Sequence, residues 1–383
     1  MAGRGTIRRH ERGDGVRYEV VVDLGPDPAT GKRRQRTRSY RTKKEATTAL
    51  NAWQSEIDAG SAVDRSTMSV AELMRYWLHD IAAHRVRPVT LEGYRHTVDD
   101  HIIPRLGAVR IQALTANQLQ RVYSQMARDG AQPRTIELVH MRLRQALSVA
   151  VEQGLVARNV ALAAHPPRPQ HHEMESWSPE ECQSFLDAAQ ASSYGPIWQL
   201  ALQTGMRRGE LLGLRWRDVD FDRGVLIIRQ GITPLAGVMT VTGTKTPGSE
   251  RAIPLRPRIV DLLRAHRARQ NERRLRLGEV WSDHDLVFAS DVGTPIMARN
   301  LVRDYDRWVE LAGVKRIRIH DLRHTFASIA LSSGVNPKVV AEILGHAKTS
   351  TTMDIYAHVG QNHLSDAIAV IDEIIAGPSA ASS

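Results

Sequence analysis

The chain has 383 residues, 42% of them hydrophobic and 25% charged, with a formal net charge of +10 and a sequence pI near 10.0. That balance excludes wholesale disorder and leaves room for two or three domains with sizeable cores. A single cysteine, Cys182, excludes an internal disulfide or a multi-cysteine zinc site and fits a reducing cytoplasm, while no apolar run approaches the roughly 20 residues of a membrane span and the first residues lack the apolar core of a secretory signal.

The surplus of cations favours a polyanionic partner, because a basic surface releases the counterions condensed on a phosphate backbone. Solvated arginine-rich faces alone would give the same charge. In residues 1–60, alternation over Arg17–Leu24, a turn over Gly25–Gly31 and a second run over Lys32–Tyr40 predict a β-hairpin. Thr42 and Glu45 have capping-box spacing, and Ala46, Ala49, Leu50, Trp53 and Ile57 recur at helical intervals, so a helix follows. Lys32, Arg33, Arg34, Arg36, Arg38, Arg41, Lys43 and Lys44 come with no acidic residue among them. A two-stranded ribbon fits a major groove, where arginine pairs with guanine edges and other cations hold phosphates. These residues are expected to bind DNA; the plain alternative is a solvated basic hairpin.

Residues 66–165 show no strand signal. Helices are predicted over Val70–Ala83, Thr90–Ile103, Ala116–Arg128 and Arg134–Gln153, with Ser69 and Thr115 as caps and Pro88, Pro104 and Pro133 at the breaks. Their Arg- and His-bearing faces suit a bundle gripping a duplex, although any surface helix is amphipathic. Pro166–His172 lacks a core-forming pattern and reads as a linker, with His171 and His172 solvated. Beyond it, Ser178 and Glu181 cap a helix, and Ile197–Leu202 continues the helical pattern. Val225–Ile228, Val238–Val241 and Arg251–Leu255 predict one small antiparallel sheet. Helices are predicted again over Pro257–Leu275, Ala298–Ala312, Asp321–Ser332, Pro337–Leu344 and Ser350–His358. There is no glycine-rich nucleotide loop and no internal repeat.

Six residues then stand in settings that suit phosphoryl chemistry: Arg207 in Thr204-Gly-Met-Arg-Arg-Gly-Glu210, Lys245 in Gly243-Thr-Lys-Thr, His320 and Arg323 in His320-Asp-Leu-Arg-His324, His346 after Leu344-Gly, and Tyr356 ten residues on. A phosphodiester repels nucleophiles, and its five-coordinate transition state spreads negative charge that fixed cations must meet. Arginine stays charged and can hold two phosphate oxygens. His320 and Arg323, three apart, share a helix face. Arg208 competes with Arg207, but neighbouring helical positions point about 100° apart, so only one faces the site.

In order and setting these residues resemble the tyrosine recombinase family, and within it the phage-type integrases. The resemblance implies that Tyr356 attacks phosphorus to give a 3′-phosphotyrosine and a 5′-hydroxyl. The ester keeps the energy of the broken bond, so no cofactor, ATP or metal is required. It favours Arg207 over Arg208, makes Lys245 the general acid, and gives His346 a hydrogen bond to the phosphate. Tyrosine has a pKa near 10 and needs a base, for which His320 is the candidate. Glu210, one turn from Arg207, buttresses it.

Other readings were weighed. Asp218-Val-Asp220-Phe-Asp222 looks like a calcium loop but has Arg223 and Arg229 where glycine and the final carboxylate belong, so it reads as a polar entry to the Val225 strand. A non-catalytic DNA-binding regulator would need the basic surface but not the six residues. A type IB topoisomerase uses similar residues, and the basic hairpin module favours an integrase. Leu364, Ala367, Ile368, Ile371, Ile374 and Ile375 form a stripe on a terminal helix, which either docks on a neighbouring protomer or folds back on its own core.

The expected fold is therefore multidomain and mainly α with small antiparallel β-sheets. Residues 1–62 form an arm-type DNA-binding module, 66–165 a helical, SAM-like core-binding domain, 166–173 a linker, 174–378 a mixed α+β catalytic domain and 379–383 a tail. The expected function is integration and excision of a mobile element by a homotetramer on double-stranded attachment sites, in the cytoplasm and at the nucleoid. A host DNA-bending factor and an excision directionality factor are compatible with it.

Overall fold

Val20 and Val22, the apolar positions of the first predicted strand, are buried against Ala46 and Trp53 of the helix that follows. The computed structural model describes residues 5–12, 15–26, 33–58, 67–169, 175–235, 237–243, 250–345 and 352. The chain divides into two units, Met1–His171 and His172–Ser383. The N-terminal sheet has three antiparallel strands, β1 (Thr6–Arg12), β2 (Gly15–Pro26) and β3 (Arg33–Tyr40), and one helix, α1 (Lys43–Asp58), covers it. The hairpin expected from sequence is β2–β3. Strand β1 went unread because Ile7 is its only apolar residue, leaving no alternation to detect. The capping box forms as expected, with the Glu45 amide donating to Thr42 Oγ1 and the Thr42 amide to Glu45 Oε2, each at 3.2 Å.

In the helical region α2 (Val70–Tyr76) starts at a Ser69/Glu72 capping box and widens into a π turn over Trp77–Ile81. Next come α3 (Pro88–His96), α4 (Ile103–Leu106), α5 (Ala116–Arg128), capped by Thr115 and Gln118, and α6 (Pro133–Glu152). Pro104 does not end its helix as expected. A π turn over Thr97–Ile102 carries the chain into α4. The Asp100 carbonyl, which Pro104 has no N–H to serve, accepts from Arg105 Nη1 at 3.3 Å. Pro88 and Pro133 start helices, where the missing N–H costs nothing. Leu73, Met74, Val98, Ile102, Leu119, Met126, Ile136 and Val139 fill the core.

The second unit opens with α7 (Pro179–Ala188), α8 (Gly195–Thr204) and α9 (Arg208–Gly213). Strands β4 (Val219–Asp220), β5 (Val225–Ile228), β6 (Gln230–Leu235), β7 (Val238–Gly243) and β8 (Arg251–Pro254) follow. The single predicted sheet is in fact two. β5 pairs with β4 and β8, while β7 pairs with β6, a strand the sequence reading did not assign because Gly231 and Pro234 interrupt its pattern. Helices α10 (Pro257–Leu277), α11 (Ala298–Ala312), α12 (Asp321–Ser332) and α13 (Pro337–Leu344) complete the described fold. Their core centres on the rings of Trp177, Phe185, Trp198 and Tyr305, with neighbouring centroids 4.8–6.0 Å apart. Burying each ring contributes about 1.5–3 kcal/mol. Asp304 satisfies the polar edge of this cluster, accepting from the Trp198 and Trp308 indoles and from Ser192 Oγ at 2.9–3.0 Å. The Trp177 amide donates to Thr325 Oγ1 at 3.1 Å, tying α12 to the same core.

Among the described residues no helix is long and apolar enough to cross a membrane, and no group of three His, Cys, Asp or Glu side chains could hold a metal. Asp218 is buried between Arg215 and Arg229 and Asp220 accepts from the Asp222 and Arg223 amides, so this acidic run serves the entry to β5, as expected. Ser350–His358, apart from Thr352, and the terminal apolar stripe lie outside the described residues.

Candidate active site

The site grows from the turn after α8. Gly205 caps that helix in the left-handed region, with φ 60°. A Cβ there would meet Leu344 Cδ2 at 2.6 Å and Phe326 Cδ1 at 2.7 Å, so only glycine lets the turn lie against α12 and α13. Arg207 follows in extended conformation (φ −67°, ψ 148°) as the residue capping α9. It is not within a helix, so the 100° argument against Arg208 does not apply; the turn itself holds Arg207 toward the protein while Arg208 is exposed.

Glu210 receives the Arg207 amide at 2.9 Å and Arg207 Nη1 at 2.7 Å, the buttress expected from sequence. A second cation was not anticipated. Arg251, buried at the start of β8, donates Nη2 to Glu210 Oε2 at 2.8 Å and Nη1 to Oε1 at 3.2 Å. Burial alone would raise the pKa of Glu210; the hydrogen bonds and charge of Arg251, then those of Arg207, outweigh it and hold the carboxyl below its ordinary value. In sequence Arg251 looked like the first residue of a strand, and only its unusual burial among arginines marks it.

His320 sits at the head of α12 in a turn fixed by Asp321, which accepts from the Arg318 amide, Nε and Nη2 at 2.8–3.1 Å. Arg323, one turn on, is buried and donates Nη1 to the Gly205 carbonyl at 2.8 Å and Nη2 to the Leu344 carbonyl at 2.7 Å. Burial and then the charge of Arg207 push its pKa down to about 9, against the opposing pull of the Glu210 carboxylate, so cations outnumber anions in this locality. The pKa of His320 is also lowered, by desolvation of its ring first, then by His324 and by Arg323, with Arg207 adding to the same effect. His324, unread in sequence, meets His320 edge to face with centroids 5.6 Å apart, and its buried Nδ1 has no hydrogen-bond partner among the described residues. Arg207, His320 and Arg323 are thus brought together. Lys245, His346 and Tyr356 lie outside the described residues.

The expected DNA contacts of the N-terminal module divide differently. Strand register places Arg36 and Arg38 opposite Val22 and Val20, on the face that α1 covers. The Arg36 guanidinium lies 4.3 Å from the Trp53 ring centroid, and that of Arg38 5.5 Å from Tyr40. Arg33 is paired with Asp23 on the neighbouring strand, so these charges do not stand unpaired as the sequence suggested. Arg41, Lys43 and Lys44 are exposed, whereas Lys32 and the side chain of Arg34 lie outside the description. The uncovered face carries Thr6, Arg8, His10, Arg17, Val21, Gln35, Thr37 and Ser39 together with the carboxylates of Glu19 and Asp23, and none of these was among the expected DNA contacts.

Comparison with known proteins finds matches along most of the chain. Residues 6–57 match an arm DNA-binding domain, 69–127 a phage integrase N-terminal SAM-like domain, and 176–363 the phage integrase family. An integrase of Streptomyces ambofaciens is 30% identical over 366 residues, covering 91% of this chain and 93% of that protein. The chain belongs to the phage integrase family. A second relative, a XerC-like tyrosine recombinase of Caldanaerobacter subterraneus subsp. tengcongensis, is 29% identical over 377 residues, 93% of this chain and 96% of that one. As a member of the family the chain is a tyrosine-type site-specific recombinase. The fold is that of the Tn1549 transposon integrase in complex with a circular intermediate DNA (TM-score 0.65, 21% identity, 80% of this chain and 100% of that one). It is also that of a lambda integrase tetramer bound to a Holliday junction (TM-score 0.58, 19% identity, 91% and 94%).

Proposed function

We propose that this integrase cleaves and rejoins double-stranded DNA at the attachment sites of a mobile element, with Arg207 and Arg323 holding the scissile phosphate. The observation that carries the assignment is the convergence of those two guanidinium groups on the end of α13, with His320 close enough to feel both their charges. Tyr356 Oη attacks phosphorus, the bond to the 5′ oxygen breaks, and Lys245 protonates that oxygen. His320, neutral at pH 7 because its pKa is lowered, takes the tyrosine proton. His346 donates to the phosphate. Ligation runs the same steps backward with another strand's 5′-hydroxyl, so the covalent ester supplies the energy.

Residues 1–62 hold arm sites, 66–165 and 174–378 each bind core-site DNA, 166–173 are the linker and 379–383 the tail. In the arm module the uncovered sheet face, with Arg8, Gln35, Thr37 and Ser39, supports base contact better than the Arg36 face does, because α1 blocks the latter. A tetramer on DNA, joined through the 364–375 stripe and working at the nucleoid, completes the reading. The test is covalent trapping on nicked duplexes spanning the element's junctions, in chelator and without ATP. Wild type should yield a slow denaturing-gel adduct that Tyr356→Phe abolishes. No adduct on DNA that the protein binds would replace the proposal with a non-catalytic DNA-binding function.

A further inference from the structure

Three arginines from three separate segments hold three successive carbonyls at the end of α13. Arg251 Nε donates to Ile343 at 2.5 Å, Arg323 Nη2 to Leu344 at 2.7 Å and Arg207 Nη2 to Gly345 at 3.1 Å. These carbonyls belong to the last turn, which lacks intrahelical donors and carries the negative end of the helix dipole. Two of the three arginines are the phosphate clamp proposed above. The third differs in its counter-ion and not in its burial, since Arg323 is equally buried but donates to carbonyls, whereas Arg251 is matched by a carboxylate. Arg251 has all three of its nitrogens on protein acceptors, Nε on Ile343 and both Nη groups on Glu210, and its side chain is 7% exposed. Arg207 shares Glu210 Oε1 with it but stays 34% exposed.

Charge balance gives that arrangement a consequence. Glu210 lies between two cations and neutralises one of them. With Arg251 present, the carboxylate is matched by a guanidinium turned wholly inward, and the charges of Arg207 and Arg323 remain for the phosphate. With Arg251 removed, Glu210 would pair fully with Arg207 and the site would lose one net positive charge, although no group touching the phosphate had changed.

We propose that Arg251 is a positioning residue for strand cleavage, which neutralises Glu210 and pins the end of α13 so that Arg207 keeps its charge for the scissile phosphate. This rests on the recombinase reading. Arg251 acts on the anionic substrate through Arg207, so its loss should show as lost phosphate stabilisation and not as a general loss of rate.

The experiment compares full-length wild type, Arg251→Met and the double variant Arg251→Met/Glu210→Gln on two nicked duplexes. One has a phosphodiester at the cleavage position and the other an uncharged methylphosphonate. A neutral centre needs the cation less, so Arg251→Met should slow adduct formation on the phosphodiester on the order of 100-fold, as removing one oxyanion donor does. On the methylphosphonate the slowing should stay within about threefold of wild type, a margin worth well under 1 kcal/mol. The double variant removes the unmatched carboxylate and should recover at least about tenfold on the phosphodiester relative to Arg251→Met. Equal slowing on both substrates, or no recovery in the double variant, would overturn the proposal and leave Arg251 a packing residue. Should Arg251→Met not fold, Arg251→Lys carries the test. It keeps the charge, so its preference for the phosphodiester should match wild type within about threefold, and collapse of that preference overturns the proposal. Failure of wild type itself to form an adduct would instead sink the recombinase reading.

Discussion

Glu210→Gln is the substitution from which the site has most to lose for the least change in shape. Glu210 accepts four hydrogen bonds, from the Arg207 amide, Arg207 Nη1 and both Nη groups of Arg251. It is 8% exposed, so solvent cannot replace them. Glutamine keeps the volume but turns an NH2 toward one of the guanidinium groups and leaves the buried Arg251 and the half-buried Arg207 without an anion. Breaking one partner out of a buried pair costs about 3–5 kcal/mol. For a unit of this size each kcal/mol lowers Tm by about 2–4 °C, so the melting of the catalytic unit should fall by roughly 6–20 °C at pH 7. The pH dependence follows from the direction of the shift. The folded-state pKa of Glu210 lies below the ordinary 4.5, so its contribution is fully present above that value and is lost as pH falls through the folded pKa. The wild-type advantage should be constant from pH 8 to about 5 and shrink in more acid solution. Calorimetry of the full chain, with the catalytic transition assigned by its sensitivity to the substitution, reads it. A variant that melts within about 1 °C of wild type at pH 7 would refute the claim that this carboxylate holds the arginines in place.

Two further outcomes are expected. With His320 as base and its pKa lowered by desolvation, then by His324 and Arg323, adduct formation should be flat from pH 8 to about 6.5 and decline only below, as the imidazole is protonated; His320→Asn should be slow throughout and lack that decline, and a midpoint above the ordinary value of about 6.5 would contradict the assignment. In the arm module, Arg36→Ala should lower stability by about 0.5–2 kcal/mol, measured by denaturant unfolding, because its guanidinium packs on Trp53. Arg8→Ala should instead weaken arm-site affinity and reduce its salt slope by about one unit, and a stability loss from Arg8→Ala without an affinity loss would reverse the assignment of the two faces.

The local chemistry of this protein was legible in the chain. The capping box at Thr42, the caps at Ser69, Thr115 and Ser178 and the span of α12 depend on neighbours three or four residues apart, and all formed as read. The order and settings of Arg207, Lys245, His320, Arg323, His346 and Tyr356 carried the resemblance to the tyrosine recombinase family, and the comparisons show that family. What the chain alone left open were relations between distant segments. Which face of the N-terminal sheet α1 covers decided that Arg36 packs on a ring. The pairing of β6 with β7 split the expected sheet. Arg251, 41 residues from Glu210 and 92 from Ile343, became part of the site only when β8 and α13 met beside α9. A buried charge must find its counter-charge wherever the packed backbone brings one within reach, and that distance is set by tertiary structure, not by spacing along the chain.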